Sequence, residues 1–161
     1  MLFALVGTIL SADFFLMAPL DILQSNQQIK NRTTIIKWLD QCKDKKLTGI
    51  MLDVWWGLVE KEEGKYDFDG YKEIFRLCAD RGLKVVPVFS FHRCGGNVGD
   101  GSVDIPIPEF VLKSDKKPFY KDLDGHYDEE YISLVYDNVK ITKRTPMEMY
   151  KDFMEAFRDA F

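Results

Sequence analysis

Three short apolar runs punctuate the first part of the chain, at Phe14–Leu20, Ile50–Gly57 and Lys84–Phe91. Runs of this length, bounded by polar residues or glycine, are typical of strands buried on both faces. Between them, apolar residues recur at helical spacing, first from about Asn31 to Lys46 and then from Asp69, the expected N-cap, to Gly82. Strands alternating with helices in this way predict right-handed βαβ crossovers and a parallel sheet.

The pattern changes after the third predicted strand. Residues 92–144 lack a sustained period, although Asp124-Gly125 lies between two strand-like segments and suggests a hairpin. Thr145-Pro146, with Glu148 three residues after the threonine, predicts the capping box of a third helix. A connection of about fifty residues is far longer than the usual two to six, and long loops on the carboxyl side of parallel strands are where sites are built.

The carboxyl ends of the predicted strands carry polar and aromatic side chains. Asp53 precedes Trp55, Trp56 and an expected exposed loop, and His92 follows the third strand. Such residues converge at one edge of a parallel sheet, which is the expected place for a ligand crevice. An aspartate flanked by indoles can bind a sugar through its hydroxyls and its apolar face. The alternative is that Asp53 binds loop amides and the tryptophans fill the core.

A glycine-rich stretch, S-F-H-R-C-G-G-N-V-G-D-G, begins the long loop. Gly95, Gly96 and Gly99 permit backbone conformations closed to other residues, so the loop is expected to fold over a substrate as a lid that carries Asp100, with His92 at its rigid base. The alternative is a turn-rich connector. The spacing lacks the lysine and hydroxyl residue of a phosphate-binding loop.

Composition narrows the classes of partner. The formal net charge is −4, and the 22 basic and 26 acidic residues are mixed, so nucleic acid is not an expected partner. No apolar stretch is long enough to span a bilayer, so no membrane partner is expected. The cysteines, Cys42, Cys78 and Cys94, are odd in number and lack C-x-x-C spacing, which indicates neither a disulfide framework nor a zinc knuckle. His92, Cys94 and Asp100 match no standard set of metal ligands.

The first twelve residues are apolar and end in a small residue where cleavage is feasible. We therefore expect a short signal peptide over residues 1–12 and secretion, although no basic region precedes the apolar run. The alternative is a cytoplasmic protein.

Three motifs resemble the N-terminal part of β-amylases, the inverting exo-hydrolases of glycoside hydrolase family 14. They are G-I-M-L-D-V-W-W-G, S-F-H-R-C-G-G-N-V-G-D and I-P-I-P. The resemblance runs from Phe14 to Phe161. It implies an α/β fold, the (β/α)₈ TIM barrel, of which residues 13–161 would form only the first three βα units. It also implies an α-1,4-glucan substrate such as starch, glycogen or maltooligosaccharides, β-maltose as product, and no cofactor.

By the same resemblance, Asp53 and His92 would contact the sugar at the innermost subsites, and Asp100 would support catalysis from the closing loop. Glu60 lies near the calcium site of some bacterial members, but Gly64 and Lys65 are poor ligands, so no metal is expected. Both catalytic glutamates of the family lie on later strands and loops, so this chain alone is expected to be inactive.

Two other hypotheses remain open from the sequence. The chain could be a non-catalytic glucan-binding or regulatory module that uses Asp53, Trp55, Trp56 and His92. It could also be a barrel fragment with unrelated chemistry, in which Cys94 acts as a nucleophile.

Overall fold

The computed structural model describes residues 12–95 and 103–161. Within them, strands β1 (Phe15–Met17), β2 (Gly49–Trp55) and β3 (Lys84–Ser90) form a parallel sheet in the order β1-β2-β3. Met17 pairs with Met51, and Met51 in turn pairs with Val86. The predicted parallel sheet is therefore confirmed, with sequential strands as neighbours, and the described residues do not close it into a barrel.

The remaining elements surround this sheet or belong to the long loop. The helices are α1 (Arg32–Asp44), α2 (Trp56–Val59), α3 (Asp69–Ala79), α4 (Glu109–Leu112) and α5 (Pro146–Ala160). Strands β4 (Phe119–Lys121) and β5 (Tyr127–Ile132) form an antiparallel hairpin, and a 3₁₀ turn follows at Leu134–Asn138. None of the helices in these two described ranges is long and apolar enough to cross a membrane.

The sheet has one well-covered face. Ile50, Leu52 and Val54 alternate along β2, are fully buried, and belong to one hydrophobic cluster with residues of α1 and α3. We expect strands buried on both faces, and for β1 and β3 this is wrong, since Leu16 and Met17 are each 43% exposed and Val86 is 37% exposed. Of the residues of β3, only Ser90 is buried. Within the described residues β1 is an edge strand paired with β2 alone, so its side chains lack neighbours on the outer side.

Of the turns and helix caps predicted from the sequence, one cap is confirmed and one is wrong. Thr145 and Glu148 form the predicted capping box of α5, with Pro146 at its first position. The predicted hairpin is present, with Gly125 at a φ of 86° in its turn. Its second strand lies earlier than the expected Y-I-S-L-V-Y segment, since β5 is Tyr127–Ile132 and a 3₁₀ turn begins at Leu134. Asp69, however, is not the N-cap of α3 but its first residue, and its N–H donates to the carboxylate of Asp67 at 3.1 Å.

The segment after β2 differs from the expectation of an exposed loop. It forms the short helix α2, in which Trp56, Leu58 and Val59 are buried. Gly57 is required there, because a Cβ at this position would lie 1.8 Å from the carbonyl oxygen of Pro106. The I-P-I-P part of the long loop thus lies directly against the end of β2.

Candidate functional site

Asp53 is held in a fixed orientation near the carboxyl end of β2. The Ser90 hydroxyl, at the end of β3, donates to Asp53 Oδ1 at 2.6 Å, and these residues are only 1% and 7% exposed respectively. Among residues 12–95 and 103–161, no hydrogen bond reaches Asp53 Oδ2. The carboxylate therefore has Oδ1 fixed by Ser90, while Oδ2 receives no hydrogen bond from the described residues.

A buried tyrosine fixes the backbone of β2 two residues after Asp53. The backbone N–H of Trp55 donates to the Tyr71 hydroxyl at 2.9 Å, and Tyr71 is fully buried in α3. Burial raises the pKa of Tyr71, and the negative charge of Asp53 raises it further, although the Trp55 hydrogen bond lowers it. The phenol therefore stays protonated and neutral beside Asp53.

His92 lies two residues beyond the end of β3 and is half-buried. Its ring meets the Trp55 indole edge-on, with ring centroids 5.3 Å apart and planes at 69°. Because Trp55 is two residues after Asp53 on β2, its indole links the strand that carries the aspartate to the histidine. The structure thus places two of the predicted site residues, Asp53 and His92, near the carboxyl ends of the neighbouring strands β2 and β3, with Trp55 in contact with the histidine.

The tryptophans do not provide a sugar-stacking surface. Trp55 is 3% exposed and Trp56 is 0% exposed. The Trp55 indole N–H donates to the Leu20 carbonyl at 2.8 Å, and that of Trp56 donates to Glu60 at 2.7 Å. The expectation of an exposed indole face is therefore wrong, because both rings satisfy their polar atoms inside the core, as in the alternative reading.

The two ends of the glycine-rich loop pair with each other at Cys94 and Ile105, and we call this pair the neck of the loop. Cys94 and Ile105 exchange two backbone hydrogen bonds of 2.9 and 2.8 Å across it. Gly95 has a φ of 116°, and a Cβ there would meet the Val103 carbonyl oxygen at 2.8 Å, so this predicted lid glycine is required by its backbone. Gly96, Gly99 and Asp100, also predicted for the lid, lie outside the described residues.

Arg93, which precedes Cys94, bonds to the hairpin and to the residue before Ile105. The Arg93 N–H donates to the Glu130 carbonyl on β5 at 2.7 Å, and its side chain pairs with Asp104 at 3.0 Å. The hydrogen bond to Asp104 raises the pKa of Arg93. These contacts join the start of the loop to the hairpin.

An open cleft lies between residues 103–106, which follow the glycine-rich loop, and the segment that follows β1. It measures about 320 Å³ and is lined by residues from three segments, Asp21–Lys30, Leu58 and Val103–Pro106. Asp21, which follows β1, forms an ion pair with Lys30 at its wall. The long loop therefore runs from the end of β3 toward the end of β1. Neither Asp53 nor His92 lines this cleft.

The cysteines do not support thiol chemistry. Cys94 is fully buried, so the hypothesis in which it attacks a substrate lacks an accessible thiol. Cys42 and Cys78 are buried as predicted, and burial raises the pKa of both thiols, that of Cys78 to about 11.

Two groups of acidic side chains have ligand types suited to a cation. At the hairpin tip, ligand atoms of Asp122, Asp124 and His126 lie within 4.8 Å of one another, all exposed. Asp122 already accepts backbone hydrogen bonds from Asp124 and His126, which lower its pKa and account for the turn. The other group surrounds Glu60, where the guanidinium of Arg144 supplies the positive charge.

A family model settles how this arrangement is classified. Residues 15–161 match the model described as glycosyl hydrolase family 14. The chain belongs to glycosyl hydrolase family 14. This confirms the family that the motifs around Asp53 and His92 indicated.

Named relatives agree with the family 14 assignment. The chain is 48% identical over 152 residues to "Beta-amylase 1, chloroplastic" of Arabidopsis thaliana, an alignment that covers 91% of this chain and 26% of that protein. It is 40% identical over 150 residues to "Beta-amylase" of Vigna unguiculata, covering 90% of this chain and 30% of that protein. The family 14 chain described here thus spans between a quarter and a third of the length of these relatives.

A solved family 14 structure has the same fold. The crystal structure of the catalytic domain of beta-amylase from Paenibacillus polymyxa superposes with a TM-score of 0.73 at 28% identity, covering 92% of this chain and 33% of that chain. This similarity confirms the predicted α/β barrel class, of which the described residues form a partial arrangement. Ser90 and Tyr71, which hold Asp53 and Trp55, were not singled out from the sequence.

Proposed function

We propose that this chain is the N-terminal portion of a β-amylase, an enzyme that releases β-maltose from the non-reducing ends of α-1,4-glucans. The observation that carries the proposal is the Asp53 carboxylate, which Ser90 orients near the strand ends where Trp55 contacts the His92 ring. The similarity to proteins named beta-amylase supports the same conclusion.

In this proposal the edge of the sheet binds the terminal sugars. Asp53 Oδ2 accepts a hydrogen bond from a sugar hydroxyl, and His92 offers a second polar group at the same edge. Asp100 is proposed to reach the substrate when its loop, with Gly95, Gly96 and Gly99, covers the crevice and excludes water. No metal or cofactor has a part in this binding.

Hydrolysis with inversion needs a carboxylic acid and a carboxylate base, about 6.5–9.5 Å apart across the bond that breaks. The proposal assigns this pair to glutamates on later strands than β1–β3. Residues 1–161 alone are therefore expected to bind maltose and to release none from starch.

Titration calorimetry with maltose, and with cellobiose as the β-linked control, tests this proposal. We expect the chain to bind maltose in preference, and Asp53→Asn to weaken that binding by about ten- to a hundredfold, because a hydrogen bond to a charged group contributes about 1.5–3 kcal/mol. Asp40→Asn, an exposed position on α1, is the matched control. Equal binding of both disaccharides, or an unchanged affinity in Asp53→Asn, would refute the proposal, and maltose release by the chain alone would refute its assignment of the acid–base pair.

A non-catalytic glucan-binding module would also bind maltose and release none, so the family 14 match, rather than this assay, supports the β-amylase portion over it. Two of the four residues proposed for it, Trp55 and Trp56, are buried and offer no ring to a sugar. A secreted or cytoplasmic location stays a prediction, since residues 1–11 lie outside the described residues.

A further inference from the structure

An ionic cluster surrounds the buried Glu60 where the long loop ends. We call it the Arg144 cluster, and its members are Arg144, Glu60, Glu63, Tyr66 and Asp152. It joins the end of the long loop to the segment that follows α2 and to helix α5. None of its members was proposed to contact sugar.

Glu60 is the most buried member, with an exposed fraction of 0%. Its Oε2 accepts from the Trp56 indole at 2.7 Å, while its Oε1 accepts from the Gly64 N–H at 2.7 Å and pairs with the Arg144 guanidinium. A carboxylate buried this completely needs a cation and hydrogen bonds to offset its desolvation. Arg144 is the cation that meets this need.

The guanidinium is fixed on its other sides as well. Arg144 lies 3.4 Å from Glu63 and 3.2 Å from Asp152, and it donates to the Tyr66 hydroxyl at 2.9 Å. Burial alone would lower the pKa of Arg144, but the hydrogen bond and charge of Glu60 raise it instead. A planar group bound on several sides defines an orientation that a lysine could not reproduce.

Aromatic contacts connect this cluster to the site. The Trp56 ring, fixed through its indole N–H by Glu60, meets Phe91 edge-on with centroids 6.0 Å apart. Phe91 also stacks on Tyr150 of α5 at 4.1 Å. Phe91 directly precedes His92, and Trp55, which directly precedes Trp56, contacts the His92 ring.

From this geometry we infer that Arg144 and Glu60 are positioning residues, which orient Trp56 and, through Phe91 and Trp55, set the position of His92 in the candidate site. Buried ion pairs often add little stability compared with apolar residues of the same volume, so orientation is the better account of why charges occur here. The effect on sugar affinity rests on the proposed function, but the effect on Trp56 and His92 does not.

The test compares Arg144→Met, Arg144→Lys and Glu60→Gln in the whole chain, with Arg158→Met as the matched control. Arg158 is an exposed arginine on helix α5, and it pairs with the adjacent Asp159. The first readout is the indole N–H signal of each tryptophan and the ring signals of His92 in NMR spectra. Spectra are recorded well below the melting temperature of every variant, where lower stability alone does not move them.

In Arg144→Met we expect the Trp56 indole signal to move upfield as its charge-assisted hydrogen bond weakens, and the His92 ring signals to shift with it. Trp38, which belongs to neither the cluster nor the site, should keep its signal. Maltose binding should weaken by about tenfold, the scale on which supporting side chains affect a site they hold. Arg144→Lys, which keeps the charge, should show a smaller change in both readouts.

Unchanged Trp56 and His92 signals in a folded Arg144→Met protein would overturn the inference. If that variant does not fold, Arg144→Lys and Glu60→Gln decide, and unmoved signals in both would overturn it equally. A chain that binds no maltose at all would count against the proposed function, while the NMR signals would still decide the positioning role.

Discussion

Replacing Ser90 by alanine tests whether Asp53 is held as a buried carboxylate. The Ser90 hydroxyl donates to Asp53 Oδ1 at 2.6 Å, a short distance typical of a charge-assisted bond. Both residues are buried, so water cannot easily replace the lost donor. Ser90→Ala should therefore lower the free energy of unfolding by about 1.5–3 kcal/mol.

Ser114→Ala is the matched control for this substitution. The buried Ser114 hydroxyl donates at 2.8 Å to the backbone carbonyl of Ile141 and accepts from the backbone N–H of Lys116 at 3.2 Å, and both partners are neutral. Loss of the buried Ile141 bond should cost about 0.5–1.5 kcal/mol, the usual net contribution of a neutral hydrogen bond, while the Lys116 N–H is only partly buried and can bond to water instead. Urea denaturation followed by circular dichroism measures both values, and the denaturant slope should stay constant if only stability has changed.

A double-mutant cycle separates the charge from the packing. In a chain that carries Asp53→Asn, the further change Ser90→Ala should cost no more than Ser114→Ala does, because the acceptor is then neutral. The reasoning would be refuted if Ser90→Ala cost the same free energy with and without Asp53→Asn. It would be refuted equally if the cost of Ser90→Ala never exceeded that of Ser114→Ala.

Two further substitutions test the surroundings of the site. Gly57→Ala should lower the free energy of unfolding by about 3 kcal/mol or more, since its Cβ would lie 1.8 Å from the Pro106 carbonyl oxygen, and an unchanged melting temperature would contradict this contact. Burial would raise the pKa of Glu63, but hydrogen bonds from Thr142, Lys143 and Arg144 outweigh it and lower the pKa below its usual 4.5. The ionised carboxylate of Glu63 therefore stabilises the folded chain above pH 4.5, and this stabilisation is lost as the pH falls and the carboxylate is protonated. Between about pH 6 and pH 3, Glu63→Gln should therefore lose less stability than the unsubstituted chain. Equal losses in the two chains would contradict the assignment.

Local sequence patterns determined strands β1–β3, helices α1, α3 and α5, and the hairpin, in their order along the chain. The apolar runs of β1–β3, the hairpin glycine Gly125 and the capping box of Thr145 and Glu148 each depend on residues close together in the chain. Their physics is short-range, since a cap or a turn is satisfied by neighbours a few residues away. The motifs around Asp53 and His92 likewise indicated the family, while the ligand-binding edge of the sheet stays a prediction.

Only the tertiary structure decided which side chains are accessible and which support the site. Trp55 and Trp56 are buried although they follow a strand end, and Leu16 and Met17 are half-exposed although they lie in an apolar run. The Ser90–Asp53 bond joins residues 37 positions apart, and the Arg144–Glu60 pair spans 84 positions. Burial and pairing of this kind depend on which distant segments pack together, and no periodicity along the chain records that packing.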